Sequence, residues 1–165
     1  MNTTLNLSLD LDEIDIRLLQ SLQTDAALSN QDLAAKVHVS PPTCLRRTKR
    51  LHDLGLIERR VAVLNADRLR GLIGAGLTAI VEITLTEQTE ELIAAFEARM
   101  LDEHEVQQCY RVSPGPDLVL IVQVQDMPAY LALAQRLFTQ DAKVRNVKAF
   151  FSVKRAKFST KLAWI

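Results

Sequence analysis

Two adjacent prolines, Pro41 and Pro42, begin a segment with helical spacing, and they constrain the fold of this chain more than any other local feature. Proline has no backbone N–H, so it breaks the hydrogen-bond ladder inside a helix. In the first turn, however, backbone N–H groups have no intrahelical partner, and the fixed φ of proline is already helical. Ser40 is a preferred N-cap residue. The sequence SPP therefore predicts a helix with a fixed start, ending near Gly55.

Two further helices are predicted before the prolines. In the first, apolar residues recur every four positions on one face, at Ile14, Leu18 and Leu22, and Asp12 is the expected N-cap. The second covers residues 29–37, with Ser29 as its cap and Leu33 and Val37 buried. A helix, a short break and a well-capped helix form a helix-turn-helix pattern.

Charge is unevenly distributed along this part of the chain. The whole protein has a formal net charge of zero, so its total charge does not indicate a nucleic-acid partner. Residues 36–60 nevertheless contain seven basic and two acidic residues, a net charge of +5, whereas residues 10–35 contain six acidic residues and one basic residue. This segregation predicts a basic face for DNA. The alternative is a solvated basic helix whose arginines serve solubility.

The spacing of the third helix indicates which residues would meet DNA. Cys44, Thr48 and Leu51 share one face and are expected to point inward, with Cys44 as a small buried hydrophobe. The N-terminal part of a recognition helix reaches base edges, and basic residues contact phosphates. The predicted DNA-binding residues, all expected to lie at the helix start or on its outward side, are Ser40, Pro42, Thr43, Arg46, Arg47 and Arg50.

From residue 57 the apolar period changes to two. Residues 57–65 are predicted to form a strand or a connecting ribbon, and residues 61–71 to link a first domain, 1–60, to a second, 72–165. The segments LTAIVEITL, EELIAAFEARM, VQQCYRVS, LVLIVQVQ, DMPAYLALAQRLF and VKAFFSVKR give the order strand, helix, strand, strand, helix, strand. That order predicts a ferredoxin-like βαββαβ domain with helices on one face of an antiparallel sheet. The chain is therefore predicted to be α+β.

Several functional classes find no support in the sequence. No signal peptide is recognised, and the longest near-apolar run, residues 72–81, is about half of the roughly 20 residues that span a bilayer. Cys44 and Cys109 are isolated, which suits a reducing cytoplasm. No zinc-ligand spacing or nucleophile pattern is present. We therefore predict a cytoplasmic protein with no membrane partner, no cofactor, no metal site and no catalytic residue.

The chain resembles the Lrp/AsnC (feast/famine) family of bacterial and archaeal transcription regulators over about residues 9–158. The segment from Leu11 to Ile57 is similar to the DNA-binding domain of that family, and VEITL, VSPGPDLVL and DMPAY fall where its second domain has matching segments. The resemblance implies a winged-type helix-turn-helix domain followed by a ferredoxin-like (RAM) effector and oligomerisation domain. It also implies double-stranded DNA and a small effector, often an amino acid, as partners. Self-association would occur through the open sheet face as dimers, with octamers in many relatives.

Two positions depart from the family pattern. The glycine usual before the recognition helix is His38, and the loop usually written Gly-Asp-aromatic-Asp reads Pro114-Gly115-Pro116-Asp117. An amino acid needs an acceptor for its ammonium, donors for its carboxylate and a slot for its side chain. Asp117 is the expected ammonium acceptor. A single carboxylate favours an apolar effector, leucine or methionine. The predicted effector-binding residues are Val112, Ser113, Gly115, Pro116, Asp117, Met127 and Phe150.

Two alternatives remain open from the sequence. The SPGPD loop could be a rigid turn in which Asp117 only bonds its own backbone. The whole chain could instead be a small enzyme on a ferredoxin-like fold, with the helical part as an oligomerisation module. That enzyme would need a pocket with a reactive side chain, and the sequence shows no such constellation.

Overall fold

The computed structural model describes residues 10–65, 68–69, 72 and 76–164. Four residues of the predicted linker, Ala66, Asp67, Arg70 and Gly71, therefore lie outside the described residues. The chain divides into two compact units. One contains the described residues up to Val63 together with the segment from Phe158, and the other runs from Leu64 to Lys157. The end of the chain thus belongs to the first unit, whereas the sequence placed it in the second domain.

The described residues of the first unit form three helices whose starts follow the predicted caps. They are α1 (Glu13–Thr24), α2 (Asn30–Val37) and α3 (Pro41–Asp53). The N-cap residues are Asp12, Ser29 and Ser40 respectively, and the side chain of each accepts a hydrogen bond from a backbone N–H in the first turn of its helix. Each of these oxygens satisfies one N–H group that the helix itself leaves unpaired. The second and third helices have the helix-turn-helix order predicted from the sequence.

Apolar residues from all three helices form the core of this unit. Buried members are Leu18 and Leu22 of α1, Leu33, Ala34 and Val37 of α2, and Cys44 and Leu51 of α3. At the turn between α2 and α3, His38 adopts a left-handed conformation with φ 60° and ψ 47°. This backbone geometry is easiest for glycine, which explains why a glycine is usual at this position. No strand is assigned among residues 57–65, so the predicted strand there is not formed within the described chain.

The second unit has the βαββαβ order. Its elements are β1 (Leu77–Leu85), α4 (Glu90–Leu101), β2 (Val106–Arg111), β3 (Leu118–Val124), α5 (Met127–Ala134), which continues as one π-helical turn (Gln135–Thr139), and β4 (Val144–Phe151). The strands form one antiparallel sheet in the order β2-β3-β1-β4. Thr89 and Asp126 cap the two helices.

The alternation of the strands determines the core. The helix-facing side of β1 buries Ala79, Val81, Ile83 and Leu85, as its period-2 pattern predicted. These residues pack with buried side chains of α4, β3 and α5, including Phe96, Leu120 and Phe138. The opposite face of the sheet retains exposed apolar residues, notably Ile80 and Phe150, which are paired in register across β1 and β4.

The segment after β4 is held within the first unit by one glutamine. The side-chain oxygen of Gln23 accepts the backbone N–H of Leu162 at 2.7 Å, and its amide nitrogen donates to the Leu162 carbonyl at 3.4 Å. The Gln23 amide thus pairs with the Leu162 backbone as a neighbouring β-strand would, through one donated and one accepted hydrogen bond. The basic segment near Lys161 is therefore attached to α1.

Candidate DNA-binding surface and effector loop

The start of α3 is fixed by contacts that the sequence alone only partly reveals. The hydroxyl of Ser40 accepts the backbone N–H of Thr43 at 3.4 Å and lies 2.8 Å from its hydroxyl. The side-chain amide of Asn30, the first residue of α2, donates to the carbonyl of Pro41 at 2.9 Å. The first turns of α2 and α3 are therefore connected by a hydrogen bond, which sets the geometry at which Pro42 and Thr43 are presented.

One stripe of α3 faces solvent. Cys44 and Leu51 are completely buried, and Thr48 is partly buried, as predicted. The stripe consists of Pro42, Leu45, Arg46 and Lys49, which are exposed, as are Pro41, His52 and Asp53 at the two ends of the helix. Arg46 and Lys49 form no ion pair with any residue that the structure describes. This stripe supplies two unpaired cations and one exposed apolar side chain on the face opposite the core.

Arg47 and Arg50 do not point outward, contrary to the sequence prediction. The Nη1 atom of Arg47 donates to Asp12 at 2.7 Å and to Asp15 at 2.9 Å, and its side chain is only 20% exposed. Arg50 donates through Nη1 to the other oxygen of Asp15 at 3.1 Å, and through Nη2 to the backbone carbonyl of Asp10 at 3.2 Å. Both arginines connect the recognition helix to the start of α1.

The carboxylate of Asp15 holds this cluster together. Its side chain is 2% exposed and binds both arginines. The hydrogen bonds that Arg47 donates to the carboxylates of Asp15 and Asp12 raise its pKa. The backbone N–H of Asp15 and the guanidinium of Arg47 hold the pKa of Asp12 below its usual value. Because the charged forms of both Asp12 and Arg47 are favoured, the ion pair between them persists at neutral pH.

The charge of this surface therefore differs from the charge of the segment. Three acids of the predicted acidic stretch, Asp10, Asp12 and Asp15, line one depression with Arg46, Arg47 and Arg50. The formal charge of these six side chains is zero. The +5 of residues 36–60 is a property of the sequence, and folding neutralises part of it.

Two residues of the exposed stripe, Leu45 and Lys49, were missed as candidates. For Lys49 the signal was present in the helical phase, since each residue advances about 100° around an α-helix, whereas Leu45 lies only about 100° from Cys44 and was not marked by phase. Measured from Cys44, Arg47 lies about 60° away and Arg50 about 120° away, whereas Arg46 and Lys49 lie about 160° and 140° away. The wheel thus placed Arg47 next to the core-facing residues, where it could reach α1.

The SPGPD loop connects β2 and β3, and Asp117 fastens it to β1. The Asp117 side chain is buried, and its Oδ2 accepts the backbone N–H of Leu85 at 2.7 Å. Its own backbone N–H donates to Ile83 at 2.9 Å, and its carbonyl accepts from Val112 at 3.1 Å. The carboxylate thus continues the β1–β3 ladder by one step. This arrangement is similar to the alternative in which the loop is a rigid turn, except that Asp117 bonds the backbone of β1 and not its own.

The rest of the loop is more open. Ser113 and Gly115 are exposed, Val112 and Pro116 are partly buried, and Gly115 has φ 129°, a conformation that only glycine adopts readily. A side chain at position 115 would meet no atom within 4 Å, so the strain would come from the backbone alone.

Met127 and Phe150, the other two predicted effector-binding residues, do not lie beside this loop in the same chain. The loop precedes β3, and Met127 follows it, so the two are separated by the length of a seven-residue strand, about 20 Å. Phe150 pairs with Ile80 on the open sheet face, beyond β1 as seen from β3. The loop and these two residues are therefore separated because β3 carries the chain away from the loop and Phe150 lies on a different strand.

Comparison with known proteins establishes the family. Residues 11–52 match the AsnC-type helix-turn-helix domain, and residues 78–162 match the Lrp/AsnC ligand binding domain. The chain belongs to the Lrp/AsnC family of transcription regulators. It is 34% identical over 145 residues to the Bkd operon transcriptional regulator of Pseudomonas aeruginosa, covering 88% of this chain and 92% of that protein.

Other members of the Lrp/AsnC family are similarly close. The leucine-responsive regulatory protein of Salmonella typhimurium is 34% identical over 153 residues, 93% of this chain and 91% of that one. An AsnC family regulator from Agrobacterium tumefaciens superposes with a TM-score of 0.82 at 31% identity, over 93% and 97% of the two chains. A Neisseria meningitidis regulator solved with L-methionine has the same TM-score at 28% identity, over 93% and 96%.

These relatives decide between the two functional classes left open by the sequence. They are transcription regulators rather than enzymes, so this family member is a regulator and not an enzyme. Among the residues that the structure describes, no cluster of three or more His, Cys, Asp or Glu side chains has the arrangement of a metal site. Over the same ranges, no helix has the length and apolar character needed to cross a membrane.

Proposed function

We propose that this regulator reads double-stranded DNA through the exposed stripe of α3. The observation that carries this proposal is the pair of unpaired cations, Arg46 and Lys49, on a helix whose start is fixed by Ser40 and two prolines. The N-terminal turn of such a helix reaches base edges in the major groove. Arg46 has the geometry to bind a guanine edge, Lys49 a phosphate, and Leu45 a thymine methyl group.

Ser40, Pro42 and Thr43 complete this surface. The Ser40 and Thr43 hydroxyls are mutually hydrogen-bonded, so they are ordered before DNA arrives. Arg47 and Arg50, predicted from the sequence to contact DNA, take a different role in the proposal. They hold α3 against α1 and keep the stripe in a fixed orientation, with the partial exposure of Arg50 leaving it at the edge of the contact area.

DNA binding at several salt concentrations tests this assignment. Arg46→Ala should relax specificity at one base pair and cost about 1–3 kcal/mol of binding free energy. Lys49→Ala should weaken binding to all sequences and lower the slope of log K against log salt by about one. Lys143→Ala, which removes an exposed cation from the second unit, is the matched control. Unaltered binding by the Arg46/Lys49 double variant would refute the assignment.

For the second unit we propose a free amino acid with an apolar side chain as effector, leucine or methionine first. Support comes from a leucine-responsive relative and a neighbour solved with L-methionine. The proposed contact residues in the loop are Val112, Ser113, Gly115, Pro116 and Asp117. Because Met127 and Phe150 lie elsewhere in the same chain, they would join the site only from another copy of the protein.

Calorimetry against the twenty amino acids tests the effector. Asp117→Asn is the informative variant, because an amide oxygen can still accept the Leu85 N–H while the negative charge is lost. If Asp117 binds the α-ammonium group, this variant should lose effector binding and keep its melting temperature. Preference for lysine or arginine would contradict an apolar effector, and absence of all binding would make the loop purely structural.

We further propose that the open sheet face binds a second copy of the chain, as the first step toward an octamer in the cytoplasm. Ile80, Ile121 and Phe150 lie side by side across three strands, and Tyr110 is half exposed on the outer strand. An apolar patch of this kind is a common interaction surface. Ile80→Glu should shift the sedimentation coefficient toward a smaller species, and an unchanged coefficient would place the interface elsewhere.

A further inference from the structure

The start of α1 places acidic side chains against the recognition helix. Asp12 and Asp15 share the Nη1 atom of Arg47, at 2.7 and 2.9 Å. Asp15 is buried and binds both Arg47 and Arg50, whereas the Asp12 side chain is 51% exposed. Among the acids that bind Arg47, Asp12 is therefore the one that solvent, or an approaching phosphate, can reach.

The two oxygens of Asp12 have separate roles. Its Oδ1 accepts the backbone N–H of Asp15 at 2.9 Å and caps α1, while its Oδ2 binds Arg47. A cap needs only an oxygen acceptor, which asparagine and serine also provide. Neutralising Arg47 needs the negative charge. The two roles can therefore be separated by substitution.

We propose that Asp12 is a positioning residue that sets the DNA affinity of this surface, by occupying Arg47 in competition with DNA phosphates. The proposal rests on the DNA-reading role of α3. A phosphate and the Asp12 carboxylate are both anions that bind a guanidinium through N–H···O hydrogen bonds. While Asp12 holds Arg47, the surface neutralises one phosphate fewer than it would with Arg47 free, so its sequence-independent DNA binding is weaker. The exposed stripe of α3 then contributes a larger share of the binding free energy.

The test compares Asp12→Asn with Glu13→Gln. Both remove one negative charge from the start of α1, but Glu13 is 83% exposed and pairs with Arg17 of its own helix at 3.3 Å. Binding of the full-length protein to a random-sequence 30-base-pair duplex is measured between 50 and 200 mM salt, with a thermal melt of each variant. Asp12→Ser repeats the test with a second neutral cap.

We expect Asp12→Asn to bind the duplex more tightly and to steepen the slope of log K against log salt by up to about one. One extra phosphate contact corresponds to about a threefold larger gain at 50 mM than at 200 mM salt. Glu13→Gln should stay close to wild type. The inference is overturned if wild type binds the duplex but Asp12→Asn and Asp12→Ser have the same affinity and salt slope as wild type. It is also overturned if they have the same affinity and salt slope as Glu13→Gln. If wild type shows no salt-dependent DNA binding, the DNA-reading proposal fails and this one fails with it.

Discussion

Replacing Arg47 with alanine should unfold the first unit more readily, whereas replacing Arg46 should not. Arg47→Ala removes two charge-assisted hydrogen bonds and leaves Asp15, whose side chain is 2% exposed, with Arg50 as its remaining cation. Breaking a buried ion pair by removing one partner costs about 3–5 kcal/mol.

Two features of the site reduce that cost. The Arg47 side chain is 20% exposed, and its Nε is buried without a hydrogen-bond partner among the described residues, so the wild-type cluster is not fully satisfied. We therefore expect Arg47→Ala to lower the free energy of unfolding by about 2–3 kcal/mol. For a helical unit of this size, that corresponds to a fall in melting temperature of at least about 8 °C.

Arg46→Ala is the matched control, because Arg46 is the adjacent residue, carries the same charge and has no ion pair among the described residues. A surface substitution of this kind changes stability by about 0.5 kcal/mol or less. Circular dichroism melts and urea titrations of both variants measure the difference. If Arg47→Ala keeps the wild-type midpoint and instead lowers the salt dependence of DNA binding by one contact, Arg47 is a DNA ligand and the structural role argued here is wrong.

Three further outcomes are expected. His38→Gly should raise the melting temperature, because the left-handed conformation costs a non-glycine residue about 1–2 kcal/mol. Glycine offsets only part of this gain, since it loses about 0.5–1 kcal/mol in chain entropy on folding. A lower melting temperature would contradict this. Urea midpoints should fall between pH 6 and pH 3, because hydrogen bonds hold the pKa of Asp12 and of Glu103 below their usual values, so their stabilisation is present above about pH 4 and lost below it; a flat profile would refute it. Truncation after Lys157 should destabilise the first unit at least as much as Gln23→Ala does, and adding Gln23→Ala to the truncation should cost little more, since the truncation already removes the Leu162 contact.

The sequence by itself determined the three helices of the first unit and the order of strands and helices in the second, although the strand expected at 57–65 is absent from the described chain. The caps at Asp12, Ser29 and Ser40 act through hydrogen bonds to backbone three residues away, so a short window contains all the information. The alternation of β1 is equally local, because successive side chains of a strand point to opposite faces. The fourth strand was displaced by three to four residues at each end, since β4 covers Val144–Phe151 and the predicted segment ran from Val147 to Arg155.

Only the tertiary structure decided what the functional side chains face. Whether Arg47 meets solvent or Asp15 depends on how α1 crosses α3, a contact between residues 32 positions apart in the chain. Whether Met127 lies beside the SPGPD loop depends on the direction of β3. Asp117 finds the Leu85 N–H because β1 and β3 are neighbours in the sheet, again 32 positions apart. Ion pairs and hydrogen bonds act over a few ångströms in space, and chain separation does not predict that distance.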